Sequence, residues 1–383
     1  MIMTERLYET NGHLASFDAV VISCEKCEGG YDLVLDRTAF FPEGGGQPSD
    51  EGTVNGARMS GAVICDGVVH HTVDREFVSG ETVECAVNMG VRFPRMQNHS
   101  GEHIVSGIIH KLYGFNNVGF HMGSKDVTLD IDGELSEEQL REVEMLANKA
   151  IAENVPVRVL YPTDDEAETL DYRSKLEITE GLRLVEIEGY DLCACCAPHV
   201  ERTGEIGMIK LLEHIRYKGG VRVHMLCGFS ALADYQAKFA ELSRISDLLS
   251  AKKGECADAV EHLQHQLGDM EYKANNIIKA AVLAEAARAT ETDGDLLFIL
   301  PTELAPGLLT LANEALPKCG GVSAAFAGED GSYTFVMVSS TVDLRAMTPE
   351  IREKLHAKGG GSSDMIRGNS AATLVEIREY FNI

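Results

Sequence analysis

No stretch of this chain is apolar for the ~18 residues that a bilayer crossing needs, so nothing in it predicts a membrane span. Its first ten residues carry Glu5, Arg6 and Glu9 where an export signal would have a basic end and then an apolar run. That excludes a secretory leader and makes the expected location cytoplasmic. Positive charge is also scarce: 34 Lys and Arg stand against 60 Asp and Glu, a formal net charge of −26. Phosphate neutralisation supplies most nonspecific binding to nucleic acid, so the balance excludes broad affinity of that kind. A local basic groove is still compatible with it, and Lys210, Arg216, Lys218 and Arg222, with only Glu213 among them, are the best candidates. Tryptophan is absent, with no functional consequence. Proline is absent from 232 to 290, which leaves helices free to run there.

Cysteine, by contrast, is not scarce: ten are present, at 24, 27, 65, 85, 193, 195, 196, 227, 256 and 319. Without an export signal they are expected to stay reduced, so clusters among them are metal or redox candidates and not disulfides. Cys24 and Cys27 have the spacing of half a metal site, but no second half stands out, and they read as incidental.

With 383 residues, 44% apolar and 25% charged, the chain suits a globular protein of two or three domains. Its patterning is of the α+β kind. Residues 1–90 alternate with a period of two, as in Tyr31–Leu35 and Ala62–Cys65, between turns rich in Gly and Asn, which predicts a small β-barrel or twisted sheet. From 91 to 232 helical and strand periods mix. A helix is expected from His99 to Leu112, stopped by Gly114, and another from the capping box of Ser136 and Gln139, with strands near 157–160, 208–211 and 221–226. Residues 233–290 repeat apolar side chains at three, four or seven (Phe239, Leu242, Ile245, Leu249, Leu263, Leu267, Met270, Ile277) around Lys252-Lys253-Gly254. A helical hairpin or coiled-coil linker, able to pair two chains, and two ordinary core helices fit that pattern about equally. Residues 291–383 alternate strand and helix as a compact α/β domain, with a turn expected at Gly359–Gly361 before a last helix ending in Tyr380-Phe381.

The sharpest chemical signal lies in two short segments. His99 and His103, four apart on one helix, present imidazoles to the same side. About ninety residues on, Asp191-Leu192-Cys193-Ala194-Cys195-Cys196-Ala197-Pro198-His199 puts a thiol and an imidazole four apart. Thiolate and imidazole are both good ligands for zinc, and two such pairs close a tetrahedron. Cys195 has the spacing to His199, while Cys193 and Cys196 stay open as substitutes. A second signal is Asp36–Pro48, where Gly44-Gly45-Gly46 admits a ligand close to the backbone, with Thr38 and Gln47 able to point a hydroxyl and an amide into the gap. It lacks the lysine and hydroxyl residue of a phosphate-binding loop.

Thr38 to Gln47, His99-x3-His103 and Cys195-x3-His199, in this order and at these separations, resemble the editing domain of alanyl-tRNA synthetase, above all in its freestanding, AlaX-type form. Lys218–Gly228 is similar to the strand that closes that domain, and Gly359–Gly368 resembles its C-terminal DHHA1 domain, so the likeness covers nearly the whole chain. Between Cys195 and His199 this chain carries Cys196-Ala197-Pro198 where the synthetase is usually rich in glycine. The resemblance implies a zinc-dependent hydrolase acting on mischarged tRNA(Ala), with Ser-tRNA(Ala) the first expectation and Gly-tRNA(Ala) the second. It makes Zn2+ the cofactor, His99, His103, Cys195 and His199 its ligands, and Thr38 and Gln47 the catalytic pair that reads the serine hydroxyl and holds the ester. Gly44, Gly45, Gly46, Arg216, Lys218, Arg222, Gly360, Gly361 and Arg367 become substrate or RNA contacts. A homodimer through the helical linker or C-terminal domain is a further expectation. Lacking the aminoacylation region, the chain is not expected to charge tRNA.

Two rivals use the same residues. A noncatalytic RNA-binding protein would keep the zinc as a structural element. An inverted-motif zinc peptidase would read His99-Ser-Gly-Glu102-His103 as H-x-x-E-H, with Glu102 as general base, but it needs a downstream carboxylate ligand where this chain offers Cys and His. A phosphoesterase is excluded by the lack of an Asp-His-His run and of clustered aspartates.

Overall fold

Asn55-Gly56 and Asp66-Gly67 reverse the chain with positive φ at both residues, 45° and 76° in the first and 48° and 81° in the second. Turns of this type match the twist of antiparallel strands, so each joins a hairpin: Gly52–Val54 to Ala57–Cys65, and Ala57–Cys65 to Val68–Val73. Ser16–Cys27, Gly30–Leu35 and Thr82–Val87 complete a closed six-stranded barrel. Alternation fills it: Val83, Cys85 and Val87 from one strand meet Phe17, Ala19 and Val21 from its neighbour. In this computed structural model the described residues are 3–123, 126–174 and 181–383. They divide into two units, Met1–Glu241 and Leu242–Ile383, in a mixed α+β architecture.

Beyond the barrel runs the helix Met89–Tyr113, ended by Gly114 in the left-handed region. It begins ten residues before the expected His99, because the Asn88 side chain caps it by accepting from the Gly90 N–H, and Pro94 sits near its start without ending it. The helix packs against Glu137–Glu153, which opens on the Ser136–Gln139 capping box, and on an antiparallel sheet ordered Ile209–Tyr217, Gly220–Cys227, Val127–Ile131, Asn117–Met122. A second sheet, Val157–Leu160, Leu184–Ile187 and Asp191–Ala194, delivers the chain to Cys195.

Two glycines set how close the helix lies to its neighbours. A Cβ on Gly101 would stand 2.3 Å from the Cys227 sulfur, and one on Gly107 2.4 Å from the Tyr190 carbonyl oxygen. The helix is also rooted in the barrel. Fully buried Arg92 donates from Nε to both oxygens of Asp50 at 2.8 Å, and further to the carbonyls of Ala39 and Gly12. Asp50 in turn accepts the Phe41 N–H at 2.6 Å. Both ends of the glycine-bearing loop are thereby tied to the helix that carries His99 and His103.

Helix Gly228–Leu249 leads to a break at Ser250–Glu255 and the 33-residue helix Cys256–Arg288. Leu263, Leu267, Met270 and Ile277 are 54–70% exposed, whereas Val282 and Ala286 further along the same helix are buried. In the second unit a five-stranded sheet is ordered Leu296–Leu300, Ser323–Glu329, Ser332–Val338, Met365–Ser370, Ala357–Gly361. Gly359–Gly361, expected as a turn, is the last part of that edge strand. Gly359 and Gly361 pair with Gly368 and Ile366, and a Cβ on either would press within 2.2 Å of the neighbouring strand's backbone. Among the described residues no helix is long and apolar enough to cross a membrane.

Candidate active site

The first pair of donors comes from the long helix, where His99 and His103 lie one turn apart and both are buried. The second comes from the segment after strand Asp191–Ala194. One ligand atom from each of His99, His103, Cys195 and His199 lies within 4.8 Å of the other three. The Cys195 sulfur is 3.3 Å from His199 Nε2 and 3.5 Å from His99 Nε2. Bonds of zinc length to nitrogen and sulfur give tetrahedral edges of ~3.3–3.8 Å, and both of these sulfur–nitrogen distances fall in that range, with donors of a type that suits the ion.

Each imidazole is oriented by its other nitrogen. His99 Nδ1–H donates to Gln47 Oε1 at 2.7 Å, and His103 Nδ1–H to Asp191 Oδ2 at 2.9 Å. His199 Nδ1 meets Ser100 Oγ at 3.0 Å. Asp191 is fixed by Arg173, whose Nε and Nη2 reach its two oxygens at 2.7 and 2.9 Å. Ties of this kind leave every Nε2 free to ligate, the usual arrangement around a metal-bound histidine.

Without an ion the protonation states differ among the donors. Burial opposes charge on Cys195, but the neighbouring His99 and His199, with hydrogen bonds from His103 and His199, hold its thiol well below the ordinary range. Burial likewise opposes charge on His103, yet Asp191 and Cys195 hold its pKa well above the ordinary value. Burial pulls His199 down to about 3, leaving it neutral. Cys193 differs: burial pushes its thiol up, and although it groups with His103 and Asp191, the latter is already engaged by Arg173. Cys196 is exposed and also pushed up by desolvation. Of the three thiols, Cys195 is the one prepared as a thiolate.

A cavity of about 290 Å³ opens beside the four donors, walled by Gly44, Gly45, His99, Glu102, His103, Arg173, Ser174, Gly181, Arg183 and Cys193–Ala197. Gly44 and Gly45 thus stand where the sequence suggested. Gly46 does not: it faces strand Asn117–Met122, its carbonyl accepting the Met122 N–H at 2.8 Å. Gln47 lies behind the wall, its oxygen on His99. Its buried Nε2 has no hydrogen-bond partner among the described residues. Thr38, fully buried, is also behind the wall. His71 donates Nδ1–H to the Leu33 carbonyl, so its Nε2 accepts the Thr38 hydroxyl at 2.9 Å, and Thr38 Oγ1 accepts the Phe40 N–H at 3.1 Å.

The remaining candidates are outside this cavity. Arg222 pairs with Asp130 at 2.6 Å and lies over the Tyr217 ring, Arg216 reaches Glu134 at 3.8 Å, and Lys210 pairs with Glu144 at 2.8 Å. Lys218 caps a hairpin with φ 47°. The expected basic run is therefore largely neutralised by acids from neighbouring elements. Gly360, Gly361 and Arg367 lie on the exposed edge hairpin of the second unit, with Gly360 opposite Arg367. Glu102, the base of the peptidase reading, accepts from the Asn117 amide, and the ligand set ends in cysteine and histidine where that reading needs a carboxylate.

Sequence reasoning missed Asp191, Ser100, Arg173, Arg183 and His71. Asp191 and Ser100 had a faint signal, since each sits inside one of the two ligand segments. The others are brought in by tertiary packing alone.

Comparison with known proteins adds an independent line. A family model described as the threonyl and alanyl tRNA synthetase second additional domain matches residues 182–224, which include Cys195 and His199. Over 98% of its length the chain is 26% identical to a Pyrococcus horikoshii protein named alanyl-tRNA editing protein AlaX-L, and it spans 96% of that protein. It is 25% identical over 95% of its length to the Rattus norvegicus alanyl-tRNA editing protein Aarsd1, spanning 93% of it. An alanine–tRNA ligase of Ignicoccus hospitalis is 29% identical over 98% of the chain, which spans only 42% of that ligase.

Proposed function

From a likeness to the alanyl-tRNA editing proteins that runs the length of the chain, we propose that this protein is an aminoacyl-tRNA hydrolase that clears wrongly charged tRNA(Ala). The observation that carries the reading is the convergence of four donors, three of which line a glycine-backed cavity. A reaction of this type has a physical reason to exist. An active site built for alanine discriminates a missing methyl by only ~1–3 kcal/mol, and an apolar pocket rejects an added hydroxyl poorly. Glycine and serine therefore slip through and need a second site.

His99, His103, Cys195 and His199 would hold Zn2+, which supplies a fixed positive charge beside the ester and, with four protein ligands, a positioning role. Gln47 orients His99 through its oxygen; its N–H, unpartnered among the described residues but outside the cavity lining, is proposed as a donor for the ester carbonyl or the oxyanion that develops on it. A buried donor without a partner costs about 1–3 kcal/mol, and a ligand that accepts from it removes that cost. Thr38 does not line the cavity, so its reading of the serine side chain is proposed from the likeness to the editing proteins and not from contact with the cavity. Its proton is committed to His71 and one lone pair to Phe40, so the oxygen can only accept, which suits a hydroxyl and gives nothing to alanine or glycine. The peptidase reading lacks its carboxylate ligand, since Cys195 and His199 complete the donor set, and a purely structural zinc leaves the adjoining cavity without a use.

The test is deacylation of serine, glycine and alanine esters of tRNA(Ala), with and without chelator. Serine is expected to be released first, with the activity lost on chelation and restored by zinc. No release of any ester by zinc-loaded protein would end the hydrolase reading. T38V is expected to lower the serine-to-alanine ratio, and an unchanged ratio would confine Thr38 to holding His71.

A further inference from the structure

Three arginines of the first unit are nearly or fully enclosed, and they differ in what offsets their charge. Arg92 is paired with Asp50 and Arg173 with Asp191. Arg183, only 7% exposed, has no carboxylate paired with it among the described residues. Its Nε and Nη2 donate to the Glu9 carbonyl at 3.3 and 3.0 Å, and its Nη1 to the Cys195 carbonyl. A guanidinium has five N–H donors, so three are used and two remain. The group also lines the cavity. An enclosed cation is costly unless an anion meets it, and here the described residues pair none with it.

An aminoacyl ester of tRNA has no carboxylate: the acid is esterified and the amine is cationic. The nearest anion to the reacting bond is the 5′-phosphate of the terminal nucleotide. Arg183 holds the carbonyl oxygen of the same residue whose sulfur belongs to the donor cluster. Arg183 and the donor cluster thus border the same cavity. We propose that Arg183 receives the 5′-phosphate of the terminal adenosine, and so sets how far the acylated ribose enters the cavity. This rests on the hydrolase reading above for its choice of ligand, though not for its test. Two charge-assisted N–H contacts also give the site a means of recognising the terminal nucleotide whatever the rest of the RNA presents.

The experiment is calorimetric titration of the zinc-loaded protein with adenosine 5′-monophosphate, adenosine and inorganic phosphate. The wild-type protein is expected to bind the monophosphate about 10–100 times more tightly than adenosine, the usual worth of hydrogen bonds to a charged group, and more tightly than phosphate alone. R183Q is expected to erase the preference, and R183K, which keeps the charge without the fork, to retain part of it. Equal binding of nucleotide and nucleoside by the wild type overturns the proposal. So does a full preference in either variant, and R183K alone decides the matter if R183Q does not fold. Phosphate binding as tight as that of the nucleotide overturns the assignment to a terminal adenosine. A protein that prefers the monophosphate but leaves Ser-tRNA(Ala) intact keeps this site and loses the hydrolase reading. A protein that deacylates without that preference loses only the role of Arg183.

Discussion

Asp191, Gln47 and Ser100 are not among the four donors, yet each fixes one imidazole through Nδ1. Loss of such a tie typically weakens metal affinity about 10–100-fold, and D191N, Q47A and S100A are each expected to do so in competition with a chromophoric chelator. Affinity unchanged in all three would mean the imidazoles are held by packing alone. His71 gives a residue-level pH dependence. Burial lowers its pKa from 6.5 to about 4, so the folded protein refuses a proton that the unfolded chain accepts. Stability is complete above pH 6.5 and falls as the pH drops toward 4, by about 3 kcal/mol in all. Denaturant unfolding of wild type and H71Q at several pH values is expected to show a shallower loss in the variant; parallel curves would place the titration elsewhere. The four donors were legible because a spacing of four is written in the chain. Their orienting partners were not, because Gln47 and His99 lie 52 residues apart and meet only through the fold.

The helix Met89–Tyr113 was legible from its apolar period and its glycine stop, but its beginning was not. Gly90 and Pro94 look like helix breakers, and the cap that offsets them is one asparagine side chain. The same local reading took Gly359–Gly361 for a turn, whereas close pairing with the next strand uses the missing side chains. Within the long helix Gly101 and Gly107 have the tightest surroundings, a sulfur on one side and a backbone carbonyl on another. G107A is expected to cost about 1–3 kcal/mol, the usual penalty for overpacking, and to shift Asp191, which lies 2.8 Å from the added carbon. A thermal scan with metal titration reads both effects. G107A matching wild type in stability and zinc affinity would show that strand Asp191–Ala194 yields freely.

At the scale of the molecule, all four donors and the cavity belong to Met1–Glu241. Residues 1–249, which keep helix Gly228–Leu249 whole, are therefore expected to retain one zinc with nearly wild-type affinity while binding RNA less well than the full chain. Loss of zinc from that fragment would mean that the second unit supports the site. The division was only half legible. Proline-free composition marked the helices, but composition does not say where one core ends and another begins. A stretch that encloses every donor it needs can be joined to a charging enzyme or separated from it without redesign. Because the first unit encloses every donor of the cluster, substitutions in Leu242–Ile383 can accumulate without altering the donor set.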